Sequence, residues 1–308
     1  MSQNKPEPTT DDEWAIHALN IHGLFFERWC QQTIRDTPGL IVTATNYPVE
    51  FPPPKNGVRG REGALDIRAE HHDGQKRLTL IIECKKNNPE FVNWVFFPPL
   101  SPKHSNRISV PVIANKSRPE TPVGWEVKTE LTRMHLDALQ YADEARETKG
   151  ACQSTSNDES KIETSNAVTE AAYQVTLATQ AIFLEEVESS SRRGKEASST
   201  TRMSWDMQAL LPVIVTSAHL FTCDFDPKEV DAGSGEILYD KAKLVEHSYL
   251  VFNYTLPRHL QYVSEEAANN LPPSQLERYM RMQIMVVHSG KLKEFLELML
   301  KNAEYLFL

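Results

Sequence analysis

Five consecutive residues, Leu78-Thr79-Leu80-Ile81-Ile82, are apolar or β-branched, and a charged tripeptide, Glu83-Cys84-Lys85, follows them directly. A run this short and this apolar reads as a strand covered on both faces, which requires other strands beside it and further layers above and below. Upstream, Leu65, Ile67 and Ala69 alternate with Asp66, Arg68 and Glu70, the period of two expected of a strand. His71-His72-Asp73-Gly74 supplies a turn between the two segments. Residues 64–70 and 77–84 therefore predict a hairpin whose second strand is central and whose chain breaks at Asn87-Asn88-Pro89.

The flanking sequence builds outward from that hairpin. Residues 1–13 are polar and proline-containing, the composition of a flexible tail, although Asp11, Asp12 and Glu13 also suit the first turn of an opening helix. From Trp14, the residues Ile16, Leu19, Leu24, Phe25, Trp29, Cys30 and Ile34 recur mostly at three- and four-residue spacing, predicting one amphipathic helix stopped by Thr37-Pro38-Gly39. Residues 40–45 read as a short strand, and Pro48 with the prolines at 52–54 as an extended turn region. Residues 90–125 show no regular period, whereas 126–146 carry a helical pattern. Residues 147–166 and 188–202 are Ser/Thr- and charge-rich and are expected to be mobile. Between them 167–188 predict a helix with Val168, Ala172, Val175, Leu177, Ala178, Ile182 and Phe183 on its apolar face. Residues 210–217 read as a buried strand that 220–223 continue, 249–254 and 282–287 as two more strands, and 291–305 as a closing helix. The expected architecture is α/β: a mixed central sheet flanked by helices, in one domain over 14–308. It carries an insertion over 89–166 between the third and fourth core strands, a mobile loop over 188–203 and a C-terminal strand–helix extension.

Charge and composition narrow the function classes. The 308 residues hold 33 Lys or Arg against 42 Asp or Glu, a net −9 that excludes a general polybasic coat for nucleic acid. Residues 51–130 run the other way, with 13 Lys or Arg and 9 Asp or Glu, a local +4. Lys55, Arg59, Arg61 and Arg68 cluster before and around Asp66, and Lys85, Lys86, Lys103 and Arg107 follow the hairpin, a distribution suited to phosphate contacts. No 18-residue apolar stretch predicts a membrane span, and the N-terminal residues lack the basic start and apolar core of a secretory signal. Cys30, Cys84, Cys152 and Cys223 have no zinc-type spacing and are expected as buried reduced thiols in a cytoplasmic, intracellular protein. A Gly-rich phosphate loop is missing, which argues against nucleoside triphosphate hydrolysis.

The chemistry concentrates at the end of the hairpin. Strand alternation places Glu83 and Lys85 on one face and Cys84 on the other, and pairing about the turn brings Asp66 beside Glu83. Two carboxylates suit a hard divalent cation such as Mg²⁺. A neighbouring ammonium can orient or deprotonate water, or offset charge developing on a phosphate. Glu-x-Lys also occurs at 126–128, at the start of the expected helix, and at 159–161, in a polar stretch. Only the copy at 83–85 ends an apolar strand with an aspartate opposite. The plain alternative is a structural ion pair of Asp66 with Lys85. Asp224-Phe225-Asp226, followed by Pro227-Lys228, reads as a turn.

These residues resemble the PD-(D/E)xK nuclease superfamily, whose restriction-endonuclease-like core is a helix, a three-strand meander, a helix and a further strand. The resemblance is carried by Gly23-Leu24-Phe25-Phe26-Glu27-Arg28-Trp29, Leu65-Asp66, Ile82-Glu83-Cys84-Lys85, Tyr173-Gln174-Val175 and Pro212-Val213-Ile214-Val215-Thr216-Ser217, within residues 14–88 and 167–220. Leu65 stands where the superfamily pattern has proline. The resemblance implies Asp66 and Glu83 as metal ligands with the Cys84 backbone carbonyl as a third. It also implies Lys85 as the catalytic lysine, Glu27 as an auxiliary acid and Gln174 as a helper glutamine. The implied protein is a Mg²⁺-dependent endonuclease, with Mn²⁺ able to substitute. It would cut DNA in preference to RNA in a defence or restriction system, with a homodimer or a partner protein supplying specificity. The alternative is a catalytically inactive nuclease-like subunit that binds or assembles a nucleic-acid-processing complex.

Overall fold

The computed structural model describes residues 8–51, 60–87, 91–100, 107–117, 125–135, 139–148, 167–196, 205–257, 260 and 281–303. Two helices open it, α1 (Asp11–Ile21) and α2 (Leu24–Arg35). The Thr10 side chain accepts from Glu13 N–H while the Glu13 side chain accepts from the Thr10 backbone, a capping box that starts α1 three residues before Trp14. Asp11, Asp12 and Glu13, placed in the expected tail over 1–13, are therefore first-turn acids. The single helix expected from Trp14 to Ile34 is two, because Gly23 adopts φ +79, a left-handed conformation natural to glycine. On α2 the buried residues are Cys30, Gln31 and Ile34. On α1 none is buried, and Trp14, Ile16, Leu19, Leu24, Phe25 and Trp29 are all exposed. Of the residues whose spacing set the expected amphipathic face, only Cys30 and Ile34 are buried, because spacing carries no information on what covers a helix.

Strand β1 (Ile41–Phe51) runs on through Pro48, beyond the expected limit at residue 45. It tolerates the proline because it is an edge strand. Strands β2 (Arg61–Asp73) and β3 (Lys76–Lys85) form the expected antiparallel hairpin, paired from Ile67↔Ile82 to Asp73↔Lys76.

The 89–166 segment departs most from expectation. Its described residues contain β4 (Asn93–Phe97), β5 (Arg107–Ser117), β6 (Trp125–His135), β7 (Tyr141–Ala142) and β8 (Glu144–Thr148), so the described part of the helix expected over 126–146 is mostly strand and none of it helix. Glu126, Lys128 and Glu130 alternate with Val127, Thr129 and Leu131, a period of two that β5 completes by antiparallel pairing. Helix α3 (Ala167–Glu196) then takes in the first nine residues of the loop expected over 188–203. After it come β9 (Trp205–Thr216), β10 (His219–Phe225), β11 (Ala242–His247), β12 (Tyr249–Thr255), β13 (Arg281–His288) and α4 (Leu292–Ala303).

Among the described residues the main sheet has nine strands, in the order β1-β2-β3-β9-β13-β12-β7, with β5 pairing β9 and β6 pairing β5. Pairings β3–β9 and β9–β13 are parallel and β1–β2–β3 antiparallel, so the sheet is mixed. Residues 220–223, expected to prolong β9, belong to a second sheet of order β11-β10-β4-β8. Asp226 caps a single helical turn by accepting from Lys228 N–H, so the acids at 224–226 form a turn.

Strand β3 is central: every residue from Leu78 to Cys84 is buried. On one face Cys30 and Ile34 of α2 and Phe295, Leu296 and Met299 of α4 pack on Leu80, Ile82, Val213 and Val215. On the other, Val168, Ala172, Val175, Ala178 and Ile182 of α3 pack on Ile81, Leu210 and Ile214, together with Trp94, Phe96 and Leu220 of the second sheet. Each fully buried aliphatic side chain stabilises by roughly 1.5–3 kcal/mol, which makes β3 the best-anchored element. The architecture is thus α/β, a mixed sheet flanked by helices. No helix among the described residues is long and apolar enough to cross a membrane.

Candidate active site

Backbone pairing between β2 and β3 stops at Ile67↔Ile82, so Asp66 and Glu83 are the first residues past the end of the ladder. Strand β2 bends there. Pairing with β1 passes from Thr45↔Ile67 to Tyr47↔Leu65, and Asn46 between them has φ +48, the one positive φ of a non-glycine among the described residues. Ile67 consequently packs in the core on the α2 face, while Leu65 packs in the core on the α3 face. Asp66 is left to turn its carboxylate across the opening, where its Oδ2 accepts from Cys84 N–H at 2.7 Å. A side chain thus replaces the ladder at the point where the strands part.

On β3 the alternation holds as expected. Ile81 belongs to the α3-side cluster and Ile82 and Cys84 to the α2-side cluster, so Glu83 and Lys85 project toward α3. The Cys84 thiol turns away from the site toward the thiol of Cys30, and both are free and buried. Cys223 is free and half-buried, and Cys152 lies outside the described residues. Lys85 Nζ lies 3.3 Å from Glu170 Oε2, in the first turn of α3. From the opposite face α2 contributes Glu27, whose N–H donates to the Gly23 carbonyl at 3.0 Å and whose carboxyl is partly buried.

All three acids hold their protons more tightly than usual. Burial and then the charge of Asp66 push Glu83 up to about 9, with Glu27 adding to the shift and Lys85 opposing it. Burial also raises Asp66, against the Cys84 N–H bond, the charge of Lys85 and a hydrogen bond from Glu83. Glu27 is raised by burial and then by Asp66. Glu83 and Asp66 lie within hydrogen-bonding reach of each other, and their burial favours a proton on the pair. Three carboxyls gathered around one lysine favour binding a proton or a cation.

The donors fit a hard cation in kind. Asp66, Glu83 and Glu27 offer carboxylate oxygens, and the Cys84 carbonyl leaves the strand on the same edge as its N–H, facing the opening. The Lys85 carbonyl, by contrast, turns to β9 and accepts from Ser217 N–H. An all-oxygen set of this kind suits Mg²⁺ or Mn²⁺. Among the described residues, no three His, Cys, Asp or Glu side chains are arranged to hold an ion as they are placed. Glu83 bonds to Asp66 instead, and Asp66 to Cys84 N–H.

The remaining sequence candidates fall elsewhere. Gln174 is exposed on α3, one turn beyond Glu170, and makes no hydrogen bond to Asp66, Glu83 or Lys85. Glu170, which sequence reasoning missed, has a signal only in retrospect: an acid four residues before Gln174. Lys86 Nζ donates to the Asn20 carbonyl at the end of α1. Arg61 donates to the Tyr173 hydroxyl at 3.3 Å. Arg68, expected near phosphate, is instead committed to a buried network: it pairs with Glu70 at 2.9 Å and Glu186 at 2.7 Å, while Arg77 pairs with Glu186 at 3.0 Å. Gln208 joins that network through Arg77 and Thr79. Lys55, Arg59 and Lys103 lie outside the described residues. Comparison of the chain with protein-family models, with curated proteins and with solved structures finds no match in any of the three.

Proposed function

We propose that this chain is a divalent-metal-dependent nuclease of PD-(D/E)xK type, cutting phosphodiester bonds in DNA in preference to RNA, inside the cell. The observation that carries the reading is the meeting of Glu27, Asp66, Glu83 and Lys85, drawn from a helix and two strands, where the hairpin opens. Asp66, Glu83 and the Cys84 carbonyl would hold the cation, which when bound supplies Lewis acidity toward a phosphate oxygen and a more acidic water.

The chain's own residues then have distinct tasks. Lys85, on the same face as Glu83, orients the attacking water and offsets charge gathering on the phosphate. Glu170 holds the Lys85 ammonium beside the acids. Glu27 faces Asp66 from α2 and adds negative charge behind the ligands. Gln174, one turn from Glu170, stands where a side chain can reach a nucleic-acid backbone lying over α3. On this reading a restriction-endonuclease-like core would be made of α2, β1, β2, β3, α3 and β9, the segment 89–166 would be an insertion between its third and fourth strands, and a defence or restriction role would suit it.

The deciding assay is cleavage of supercoiled plasmid and of single-stranded RNA with Mg²⁺ or Mn²⁺. Asp66→Asn and Lys85→Met are expected to lower the rate by a factor on the order of 10² to 10³. Wild type no faster than either variant on every substrate sinks the enzyme reading. A second reading, an inactive nuclease-like binding or assembly subunit, is favoured by the way the acids satisfy one another through the Glu83–Asp66 and Asp66–Cys84 bonds. Calorimetric titration with Mg²⁺ separates the two: binding that Asp66→Asn abolishes belongs to the enzyme, and no heat at all to the subunit.

A further inference from the structure

Strands β3, β9 and β13 are parallel, and their register sets Lys85, Thr216 and His288 side by side in one row. On β13, Ile284 and Val286 pack on the α3 side of the sheet and Met285 and Val287 on the α2 side. Alternation therefore sends His288 to the α3 side, which is also the side of Glu83 and Lys85. Two strand spacings separate the Lys85 and His288 backbones, about 10 Å, or a few nucleotide steps at the ~3.4 Å rise of one strand. The row lies at the carboxyl ends of three parallel strands, where open α/β sheets take their ligands.

His288 has a companion. The ring of His219, at the start of β10, stacks on it with centroids 5.4 Å apart and planes 22° from parallel. Each ring is held by its Nδ1. His219 Nδ1 lies 3.0 Å from Glu246 Oε1, and an ionised carboxylate only accepts, so this nitrogen carries its proton. His288 Nδ1 accepts from Gly290 N–H at 3.2 Å, which places the proton of the neutral ring on Nε2. Glycine permits that approach: a Cβ at position 290 would stand 3.1 Å from both Nδ1 and Cε1 of the ring. Neither Nε2 has a partner among the described residues.

We infer that His219 and His288 form a phosphate-binding subsite, which holds a phosphodiester of the nucleic acid a few nucleotides from the one attacked beside Lys85. The substrate rests on the nuclease reading, whereas the affinity for phosphate rests on the two rings themselves. His288 Nε2 donates from the neutral ring. Burial, the facing His219 and Lys291 of the turn before α4 keep it in that form by holding it below the ordinary imidazole range, with Glu246 of β11 opposing them. His219 Nε2 donates once its ring is protonated, and Glu246 supports that charge from the Nδ1 side. A transition metal fits less well, because it needs a lone pair that His288 Nε2 lacks in this tautomer.

Inorganic phosphate titrated into the full chain, with the histidine ring nitrogens followed by NMR, tests the subsite without any cleavage. The Nε2 signals of both rings are expected to shift saturably, more tightly at pH 6 than at pH 8, in a way that chloride at equal ionic strength does not reproduce. His219→Phe and His288→Phe keep a ring in the stack, remove its nitrogens, and should each abolish saturation at the other ring. In plasmid cleavage, His288→Phe should raise KM about tenfold with little change in kcat, and Gly290→Ala, which displaces the ring, about threefold. Ring signals indifferent to phosphate, or a plasmid KM that His288→Phe leaves unchanged, would overturn the subsite. A wild type that binds phosphate through these rings yet cuts no nucleic acid would uphold the phosphate site and remove the nuclease reading alone.

Discussion

The β2–β3 hairpin carries buried charge at both ends, and the two ends solve the problem in opposite ways. Near the turn, Arg68 and Arg77 meet Glu70 and Glu186 in a balanced set, with Gln208 and Thr79 filling further hydrogen-bonding positions. There burial acts to raise Glu186, but Arg77 and Arg68 outweigh it and hold the carboxyl below its ordinary range. At the open end three acids face one lysine, and every carboxyl is pushed up. A balanced cluster pins α3 to the sheet and asks for nothing more. An unbalanced one is stable only with a proton or a cation, which is the physical reason for placing chemistry at that end.

The contrast breaks most visibly if a balanced pair is cut. Glu186→Ala leaves the half-buried guanidiniums of Arg68 and Arg77 with Glu70 as their one shared carboxylate, and should cost about 3 kcal/mol by urea unfolding. A loss below about 1 kcal/mol would mean that the network is not an anchor. At the other end the test is pH. Glu83 titrates near 4.5 when unfolded and near 9 when folded. Below pH 4.5 both states hold the proton. Between 4.5 and 9 only the unfolded chain releases it, so the contribution of Glu83 is complete at low pH and is lost as pH rises. Glu186 has the opposite sign, contributing above its ordinary value and failing as pH falls. Glu83→Gln should therefore raise stability at pH 8 relative to pH 5, by about 1–3 kcal/mol; an unchanged difference between the two pH values would refute the protonated acid. The smallest effect belongs to the exposed Lys85–Glu170 pair, where Glu170→Gln should change stability by less than about 0.5 kcal/mol. A larger change would make Glu170 a structural residue and not a keeper of Lys85.

Legibility in the sequence followed the range of the interactions. The hairpin, the buried β3 and the alternation that separates Glu83 and Lys85 from Cys84 are local, and each had its pattern in consecutive residues. So did the apolar face of α3. What was missed depends on distant partners. Glu126, Lys128 and Glu130 resemble helical surface patterning until β5 stands beside them, and the second sheet exists only because β4 and β10 meet in parallel. Arg68 read as a phosphate contact because nothing near it in sequence announces Glu186. The exposed face of α1 has the same cause: amphipathic spacing names a side without naming a neighbour.

The two halves of the candidate site also differ in when they come into being. Asp66 meets the Cys84 N–H across 18 residues, a closure available as soon as the hairpin forms. The end of β3 is tied to the end of β9 by the Asn87–Ser217 bond, across 130 residues. Parallel pairing over such a distance is slow, because loop entropy must be surrendered before any contact repays it. If the hairpin closes first, Asp66 and Glu83 meet in water and ionised, and are buried only when α3 and β9 close over them. Refolding of this chain should carry a late phase in which Glu83 takes up a proton, so the rate of that step rises as pH falls, or as divalent cation is added, in a way that the early hairpin does not share.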